Sequence, residues 1–165
     1  METTVQIRPV RETDLGSLRE TINSVCSEKW YLATVEGFTQ EQSRGFLKHI
    51  IDSGLPEVVA VDGDRIVGWC DILPNTTKGF THVGHLGMGV AGDYRGKGVG
   101  RRLLNACLAL AAGYGLEKVE LEVFSDNIPA VRLYESVGFN VEGLKSNARK
   151  LEGRYQDIQL MALSF

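Results

Sequence analysis

A glycine-rich segment with two basic residues stands near the middle of the chain, between a predicted strand and a predicted helix. It reads Arg-Gly-Lys-Gly-Val-Gly over residues 95–100, so that every second residue is a glycine. Glycines lack a Cβ atom and let the main chain curl closely around a ligand. The free amides and partial positive charge at a helix start favour phosphate oxygens, and Arg95 and Lys97 add full charges. The segment therefore predicts a site for a diphosphate.

Spacing separates this segment from other phosphate-binding motifs. A P-loop requires Ser or Thr directly after its lysine so that a hydroxyl reaches magnesium, but Lys97 is followed by Gly98. The GxGxxG dinucleotide fingerprint requires a glycine where the chain has Arg101. An acidic residue about 20 positions further on, Glu120 or Glu122, keeps part of the dinucleotide interpretation open. A helix-capping glycine turn with basic surface residues is the remaining alternative.

Hydrophobic periodicity predicts the elements that position this loop. Thr13 and Thr39 are the expected N-caps of two helices that follow a first strand. The predicted order is strand, two helices, a hairpin around residues 62–64, a strand within 81–90, the loop and its helix, a strand at 118–124, a helix at 127–136 and two closing strands. The fold class is therefore α/β (α+β), with a mixed, mostly antiparallel central sheet of six to seven strands and about four helices.

The strand before the loop is unusual because it carries three glycines. Gly84, Gly87 and Gly89 leave it poor in side chains that could pack against neighbours. Such a strand is typical of a place where another group approaches the backbone closely. We therefore expect a close approach to the backbone of this strand.

Two ordered motifs resemble those of the GNAT acyltransferase superfamily. Residues 95–100 resemble its R/Q-x-x-G-x-G/A acetyl-CoA motif, and residues 127–139 resemble its N-x-x-A-x-x-L-Y-x-x-x-G-F motif at the expected distance downstream. The chain end is similar to the closing hairpin of bacterial amino-acid and peptide N-acetyltransferases, and Gly153, Tyr155, Asp157 and Met161 carry this match. The chain as a whole resembles bacterial amino-acid and ribosomal-protein alanine N-acetyltransferases. The resemblance implies a GNAT-like sheet in which the two strands flanking the loop splay apart to form the cofactor cleft.

The resemblance also implies how the co-substrate acetyl-CoA binds, with no metal. The pantetheine arm lies between the splayed strands, the loop amides hold the diphosphate, and Asn127 bonds the cofactor, with a simple N-cap as its alternative role. The implied cofactor-binding residues are Met88, Gly89, Val90, Arg95, Gly96, Lys97, Gly98, Val99, Gly100, Asn127 and Tyr134.

Acetyl transfer to an amine needs a neutral nucleophile, a polarised carbonyl and a proton donor for the thiolate. The resemblance implies that Tyr134 donates to sulfur, although a ring packed beneath the cofactor is the alternative. The main-chain amide of Val90 is the candidate for polarising the carbonyl. Glu122, which matches a glutamate of ribosomal-protein alanine acetyltransferases, and His85 are the expected base candidates. Which of Glu122, His85, His82 or water acts as the base stays open.

Composition limits the remaining possibilities. The 165 residues are 43% hydrophobic and 24% charged with a net charge of -3, which is typical of one globular domain over residues 1–165 and argues against nucleic-acid or membrane partners. Three separated cysteines without a CxxC pair predict free, buried thiols. The first residues lack a basic start and an apolar run, so we expect a cytoplasmic protein.

The sequence therefore predicts an acetyl-CoA-dependent N-acetyltransferase acting on a primary amine of a small molecule, an amino acid or a peptide N-terminus. Trp30, Tyr31, Phe38 and Phe80 are candidates for lining the acceptor pocket, and a homodimer is an open alternative. The competing hypothesis from another class is a non-catalytic CoA- or nucleotide-binding sensor module. Tyr134 favours the enzyme.

Overall fold

The computed structural model describes residues 4–165, and seven strands and four α-helices form within this range. The predictions of a single domain and of an N-terminus without a targeting signal both include residues 1–3, which lie outside the described residues. The strands are β1 Gln6–Pro9, β2 Glu57–Asp62, β3 Arg65–Pro74, β4 Val83–Val90, β5 Lys118–Phe124, β6 Asn140–Leu151 and β7 Arg154–Ser164. The helices are α1 Leu15–Ser27, α2 Gln40–Ser53, α3 Val99–Tyr114 and α4 Ile128–Val137, with short 3-10 turns at Glu12–Asp14 and Gly92–Tyr94.

The strands form one sheet in the order β1-β2-β3-β4-β5-β7-β6. Every neighbouring pair is antiparallel except β4 and β5, which are parallel. The predicted mostly antiparallel sheet is therefore confirmed. Parallel neighbours need a crossover, and α3 supplies it between β4 and β5.

Alternating side chains divide the sheet into two packed faces. Val58 belongs to a cluster with Leu103 of α3 and Tyr134 of α4, whereas its neighbour Val59 belongs to a cluster with Leu18 of α1. Helix α2 lies against α1. The sheet thus has an α3/α4 face and an α1 face, and these two names are kept below.

Helix boundaries follow local rules in one case and not in another. Thr39 and Gln42 form the predicted capping box, with reciprocal bonds of 3.1 and 2.9 Å, and Gly54 ends α2 with φ of 60°. The predicted Thr13 cap of α1 is wrong, because Thr13 lies inside a 3-10 turn and Asp14 occupies the N-cap position. The Asp14 carboxylate instead accepts hydrogen bonds from the Arg11 amide and from both terminal nitrogens of Arg8.

Strand β4 and the closing hairpin differ from the sequence prediction. Strand β4 begins at Val83, so His82 precedes the strand, and its carbonyl accepts the amides of Glu117 and Lys118 at 2.8 and 3.2 Å. The closing strands form a longer hairpin than expected.

All three cysteines are free and buried, as predicted. None of the helices within residues 4–165 is long and apolar enough to cross a membrane.

Candidate active site

The two parallel strands β4 and β5 pair only at their beginnings. Backbone register joins residues 83–85 to residues 118–120 and stops there. Beyond that point β4 remains paired with β3 up to Val90, and β5 remains paired with β7 up to Phe124. Residues 86–90 and 121–124 therefore border an open cleft, and the main-chain groups on its edges are available to a ligand.

The glycine loop lies at the end of β4, where the cleft opens. Gly96 and Gly98 have φ of 72° and 80°, a left-handed conformation that favours glycine, so the alternating glycines have a backbone cause. Helix α3 begins at Val99 without a side-chain cap. Within residues 4–165, none of the six amides from Gly96 to Arg101 donates to another residue, and the first bonded amide is that of Arg102, 3.2 Å from the Gly98 oxygen.

Gly100 serves packing rather than conformation. A Cβ atom there would lie 3.3 Å from a Leu133 methyl group of α4 and 3.8 Å from the Met88 methyl. The missing side chain therefore lets the start of α3 approach β4 and α4 closely. This brings the free amides, the cleft strand and α4 into one neighbourhood.

Arg95 uses its guanidinium within the protein. Its Nε donates to the Val90 oxygen at 2.8 Å, and its two terminal nitrogens donate to the Glu28 carboxylate at 2.7 and 2.9 Å. The group also lies 4.6 Å above the Tyr31 ring. Arg95 thus ties the end of α1 to the end of β4. Lys97 is exposed, with its ammonium 5.6 Å from the centre of the Tyr94 ring, and it remains the mobile positive charge at the loop.

Tyr134 lies on the α3/α4 face, packed in the same cluster as Met88. The residue is 8% exposed, and its ring centre lies 5.7 Å from that of Phe139. Burial, together with the nearby Cys70 thiol, raises the pKa of the phenol above its ordinary value of 10, so the hydroxyl stays protonated in neutral solution. At the start of the same helix, the Asn127 side chain accepts the Ala130 amide at 3.4 Å and acts as an N-cap.

The expected base candidates lie together on the α1 face. His85 of β4 is in register with Glu120 of β5, and these two residues and Glu122 border a cavity of about 140 Å³. Each glutamate has a lysine partner: Lys145 lies 2.8 Å from Glu122 and Lys118 lies 3.1 Å from Glu120. The carboxylate of Glu122 is therefore already compensated by a cation.

The predicted glycine strand is covered by this chain's own side chains. A Cβ atom at Gly89 would lie 2.3 Å from the Trp69 ring, and one at Gly84 would lie 2.5 Å from an Ile72 methyl group. Gly87 differs, because a Cβ atom there would meet the Asp71 carboxylate at 3.5 Å, an ordinary contact. The close approach that the glycines indicated is thus internal at two positions and leaves an acidic group at the third.

Sequence reasoning missed a pair of carboxyl groups on the α1 face. Asp71 of β3 is directly opposite Glu57 of β2, and Glu57 is only 2% exposed. Burial and the charges of Asp71 and Asp14 raise the pKa of Glu57 to about 8, and burial raises that of Asp71 to about 7. The available signal was an acidic residue interrupting the apolar run Ile66–Leu73 and another at the start of β2.

Aromatic residues predicted to line an acceptor pocket divide into two groups. Trp30 lies 4.5 Å below the Arg154 guanidinium, and Tyr31 lies below Arg95. Phe38 and Phe80 are 41% and 57% exposed. The segment 28–32 is additionally held by Arg149, whose guanidinium donates to the oxygens of residues 29 and 32 and stacks on the Phe124 ring at 4.2 Å. The segment therefore connects the glycine loop to the β6–β7 hairpin.

Comparison with known proteins agrees with this geometry. The model of the acetyltransferase (GNAT) family matches residues 21–139. L-amino acid N-acetyltransferase AaaT of Escherichia coli is 31% identical over 111 residues, which make up 66% of this chain and 68% of that protein. The described residues contain no group of three or more His, Cys, Asp or Glu side chains suited to a metal ion.

Solved structures share the architecture over nearly the whole chain. A ribosomal-protein-alanine N-acetyltransferase from Brucella melitensis is 25% identical with a TM-score of 0.90, covering 97% of this chain and 99% of that one. The yncA protein of Salmonella typhimurium, solved with its cofactor acetyl-CoA, has the same fold with a TM-score of 0.91 at 21% identity, covering 97% of this chain and 93% of that one.

Proposed function

Because this chain belongs to the acetyltransferase (GNAT) family, whose model matches residues 21–139, we propose that it transfers the acetyl group of acetyl-CoA to a primary amine. The observation that carries the proposal is the row of six free amides from Gly96 to Arg101 at the mouth of the β4–β5 cleft. A diphosphate satisfies free amides at a helix start, and an extended amide-bearing arm satisfies the edges of splayed strands. Coenzyme A contains both groups.

The loop amides hold the diphosphate in this proposal, and Lys97 adds charge. Arg95 has a different part, because its guanidinium is taken by Glu28 and by the Val90 oxygen. It holds the end of β4 in place rather than gripping phosphate. The pantetheine arm runs along Met88, Gly89 and Val90, and the Val90 amide polarises the thioester carbonyl.

Tyr134 donates a hydrogen bond to the sulfur as the C–S bond breaks. The hydroxyl forms no hydrogen bond to the protein within residues 4–165, and the raised pKa of the phenol keeps its proton in place. A protonated donor in the low-dielectric surroundings of the α3/α4 face stabilises the developing thiolate more than one in open solvent. Asn127 keeps its cap on α4 and aims the start of that helix at the cofactor.

The acceptor is an amine carried by an amino acid, a peptide N-terminus or another small molecule. Two of the similar proteins are named for amino-acid and ribosomal-protein alanine acetylation, which supports an α-amino group. The segment 28–32 and the β6–β7 hairpin border the open side of the cleft and are the parts that would select among acceptors. Glu122 and His85 remain base candidates, with Glu122 carrying the Lys145 partner.

Calorimetry with coenzyme A and with pantetheine tests the cofactor part of the proposal. Coenzyme A should bind at least tenfold more tightly than pantetheine, and Gly98→Ala should weaken only coenzyme A, because φ of 80° disfavours alanine and the change disturbs the amide row. Gly63→Ala, at a left-handed glycine in the β2–β3 turn, is the matched control. Equal binding of the two compounds would contradict the diphosphate site.

Thiol release from acetyl-CoA tests the transfer itself. L-alanine, an alanyl tripeptide and spermidine are offered separately, and free thiol and acetylated amine are measured together. Equal amounts of the two products support acetyl transfer. Binding of coenzyme A without release of thiol for any of these amines would instead favour the sensor module.

A further inference from the structure

Three residues in register form a row on the α1 face of the sheet. Glu57 of β2 is opposite Asp71 of β3, and Asp71 is in turn opposite Gly87 of β4. Gly87 lies in the half of β4 that has no β5 partner. The row therefore runs from a buried carboxyl group, through Asp71, to the edge of the cleft.

Gly87 leaves the Asp71 carboxylate open toward that edge. The position of a Cβ atom on Gly87 lies 3.5 Å from Asp71 Oδ1 and 3.8 Å from Oδ2, so the carboxylate leans over a residue without a side chain. The Trp69 ring lies over Gly89, one step further along the same face. Asp71 is half-buried, whereas Glu57 behind it is closed off. A group entering the cleft from the α1 face meets Asp71 before it meets Glu57.

Asp71 differs from the other acids of this face in its surroundings. Glu120 and Glu122 each lie within 3.1 Å of a lysine ammonium. Asp71 and Glu57 have neither an ion pair nor a hydrogen-bond donor to their carboxylates within residues 4–165. Two neighbouring acids without a cation lower their energy when a cation enters. The ammonium group of an amine is such a cation.

The two faces of the sheet divide the work of the reaction. Helices α3 and α4, with the free amides and Tyr134, occupy the α3/α4 face, which is where the cofactor would enter. An acceptor then has access from the α1 face, where Asp71 lies. Resting on the transfer reaction proposed above, we propose that the Asp71 carboxylate receives the ammonium group of the acceptor across Gly87 and takes one of its protons.

Acetyl transfer through Asp71 removes two protons from the acceptor ammonium. The ammonium gives one proton to Asp71, and the neutral nitrogen forms a bond to the thioester carbon. The C–S bond breaks, and a second proton from the nitrogen passes to the leaving thiolate, giving an amide and the free thiol. Asp71 later returns its proton to water. Burial raises the pKa of Asp71 to about 7 and so favours proton uptake there, while Glu57 behind it, with a pKa raised to about 8 by burial and by the charges of Asp71 and Asp14, keeps its own proton at pH 7.

Other charged groups surround this pair. Helix α1 presents apolar Leu18 and Val25 to the neighbouring part of the face. Asp14, with its partner Arg8, acts on Glu57, and the thiol of Cys70 lies near both acids. His85 and Glu122, with its partner Lys145, lie on the same face of the sheet and line the neighbouring cavity. A pH profile therefore needs a comparison among variants rather than wild type alone.

The test compares wild type with Asp71→Asn, using L-alanine and the alanyl tripeptide as acceptors. In wild type, kcat/KM for the amine should be level between about pH 7 and the amine's own pKa, because enzyme base and ammonium then coexist. In Asp71→Asn only the free amine reacts, so kcat/KM should rise with pH up to the amine's pKa. At pH 7 the loss should be about 100-fold, while the Kd for coenzyme A stays within twofold.

Two further variants separate removal of the carboxylate from general damage. Gly87→Ala places a methyl group in contact with Asp71 and should raise KM for the amine several-fold with the charge intact. Asp64→Asn, on the exposed turn before β3, is the matched control and should behave as wild type. If the pH profile of kcat/KM in Asp71→Asn is the same as in wild type, this inference alone is overturned. It is also overturned if Glu122→Gln or His85→Gln, and not Asp71→Asn, abolishes the fall of kcat/KM on the acidic side of the profile. Wild type that binds coenzyme A but acetylates neither acceptor would overturn the proposed function itself.

Discussion

Replacing Glu57 by glutamine should make the protein more stable in alkaline solution. The Glu57 side chain is 2% exposed, and both its oxygens lack a hydrogen-bond partner within residues 4–165. Its neighbours Asp71 and Asp14 are also acidic, and together with burial they raise the pKa of Glu57 from 4.5 to about 8. An ionised carboxylate at this position therefore destabilises the folded state, whereas in the unfolded chain it is hydrated and carries no such penalty.

The sign and size of the effect follow from these pKa values. Between about pH 4.5 and pH 8 the unfolded chain has released the Glu57 proton and the folded protein has kept it, so the unfolding free energy falls as pH rises. The full rise in pKa corresponds to at most about 5 kcal/mol, since each pKa unit is worth about 1.4 kcal/mol. Part of this is repulsion shared with Asp71, so we expect about 2 to 3 kcal/mol from Glu57 itself.

Urea unfolding at pH 5 and at pH 9, followed by fluorescence of buried Trp69, measures the effect. Glu57→Gln should match wild type closely at pH 5 and exceed it by about 2 to 3 kcal/mol at pH 9. Glu36→Gln, at an exposed glutamate, should leave the difference between the two pH values as in wild type. Parallel pH dependence in Glu57→Gln and wild type would refute the reasoning.

Two other perturbations address Tyr134 and the segment 28–32. Tyr134→Phe should lower kcat about 10- to 100-fold with the Kd for coenzyme A within threefold, because the hydroxyl has no protein partner to lose and is proposed to act on the leaving sulfur; steady-state kinetics and calorimetry measure both, and an unchanged kcat would assign the ring to packing. Glu28→Ala should speed hydrogen exchange in residues 28–32 while lowering the unfolding free energy by less than about 1 kcal/mol, because the pair with Arg95 is partly solvated; equal exchange in wild type and the variant would show that the Glu28–Arg95 pair does not hold the segment.

Local sequence signals predicted the backbone of the glycine loop well. The conformation of the loop glycines could be predicted from the sequence, because a left-handed backbone and a helix start depend on residues close together in the chain. The capping box at Thr39 worked for the same reason. The Thr13 cap failed because Asp14, bonded to Arg8 across a turn, competes for the same position. The roles of the individual site residues remain predictions.

The charged residues on the α1 face were harder to predict from the sequence. Glu122 stood out in the sequence by its motif context, but the Lys145 that compensates it comes from another strand, 23 residues away. Asp71 lies in an apolar run that matches no motif. Its position opposite Glu57 and Gly87 is visible only in the strand register of the folded sheet. The sequence predicted Arg95 as a phosphate ligand. In the structure its guanidinium donates to the carboxylate of Glu28, which lies 67 residues earlier in the chain.

By itself, the amino-acid sequence determined the order of the elements, the family and the position of the glycine loop, because each depends on short-range geometry or on motifs that survive as strings of residues. The tertiary structure alone decided which acids are compensated, which carboxylate opens onto the cleft and which arginine is already occupied. These outcomes depend on strand register and on contacts such as that between Arg149 and residue 32, 117 positions apart. Charge pairing and desolvation are properties of neighbours in space, and the chain order does not state who those neighbours are.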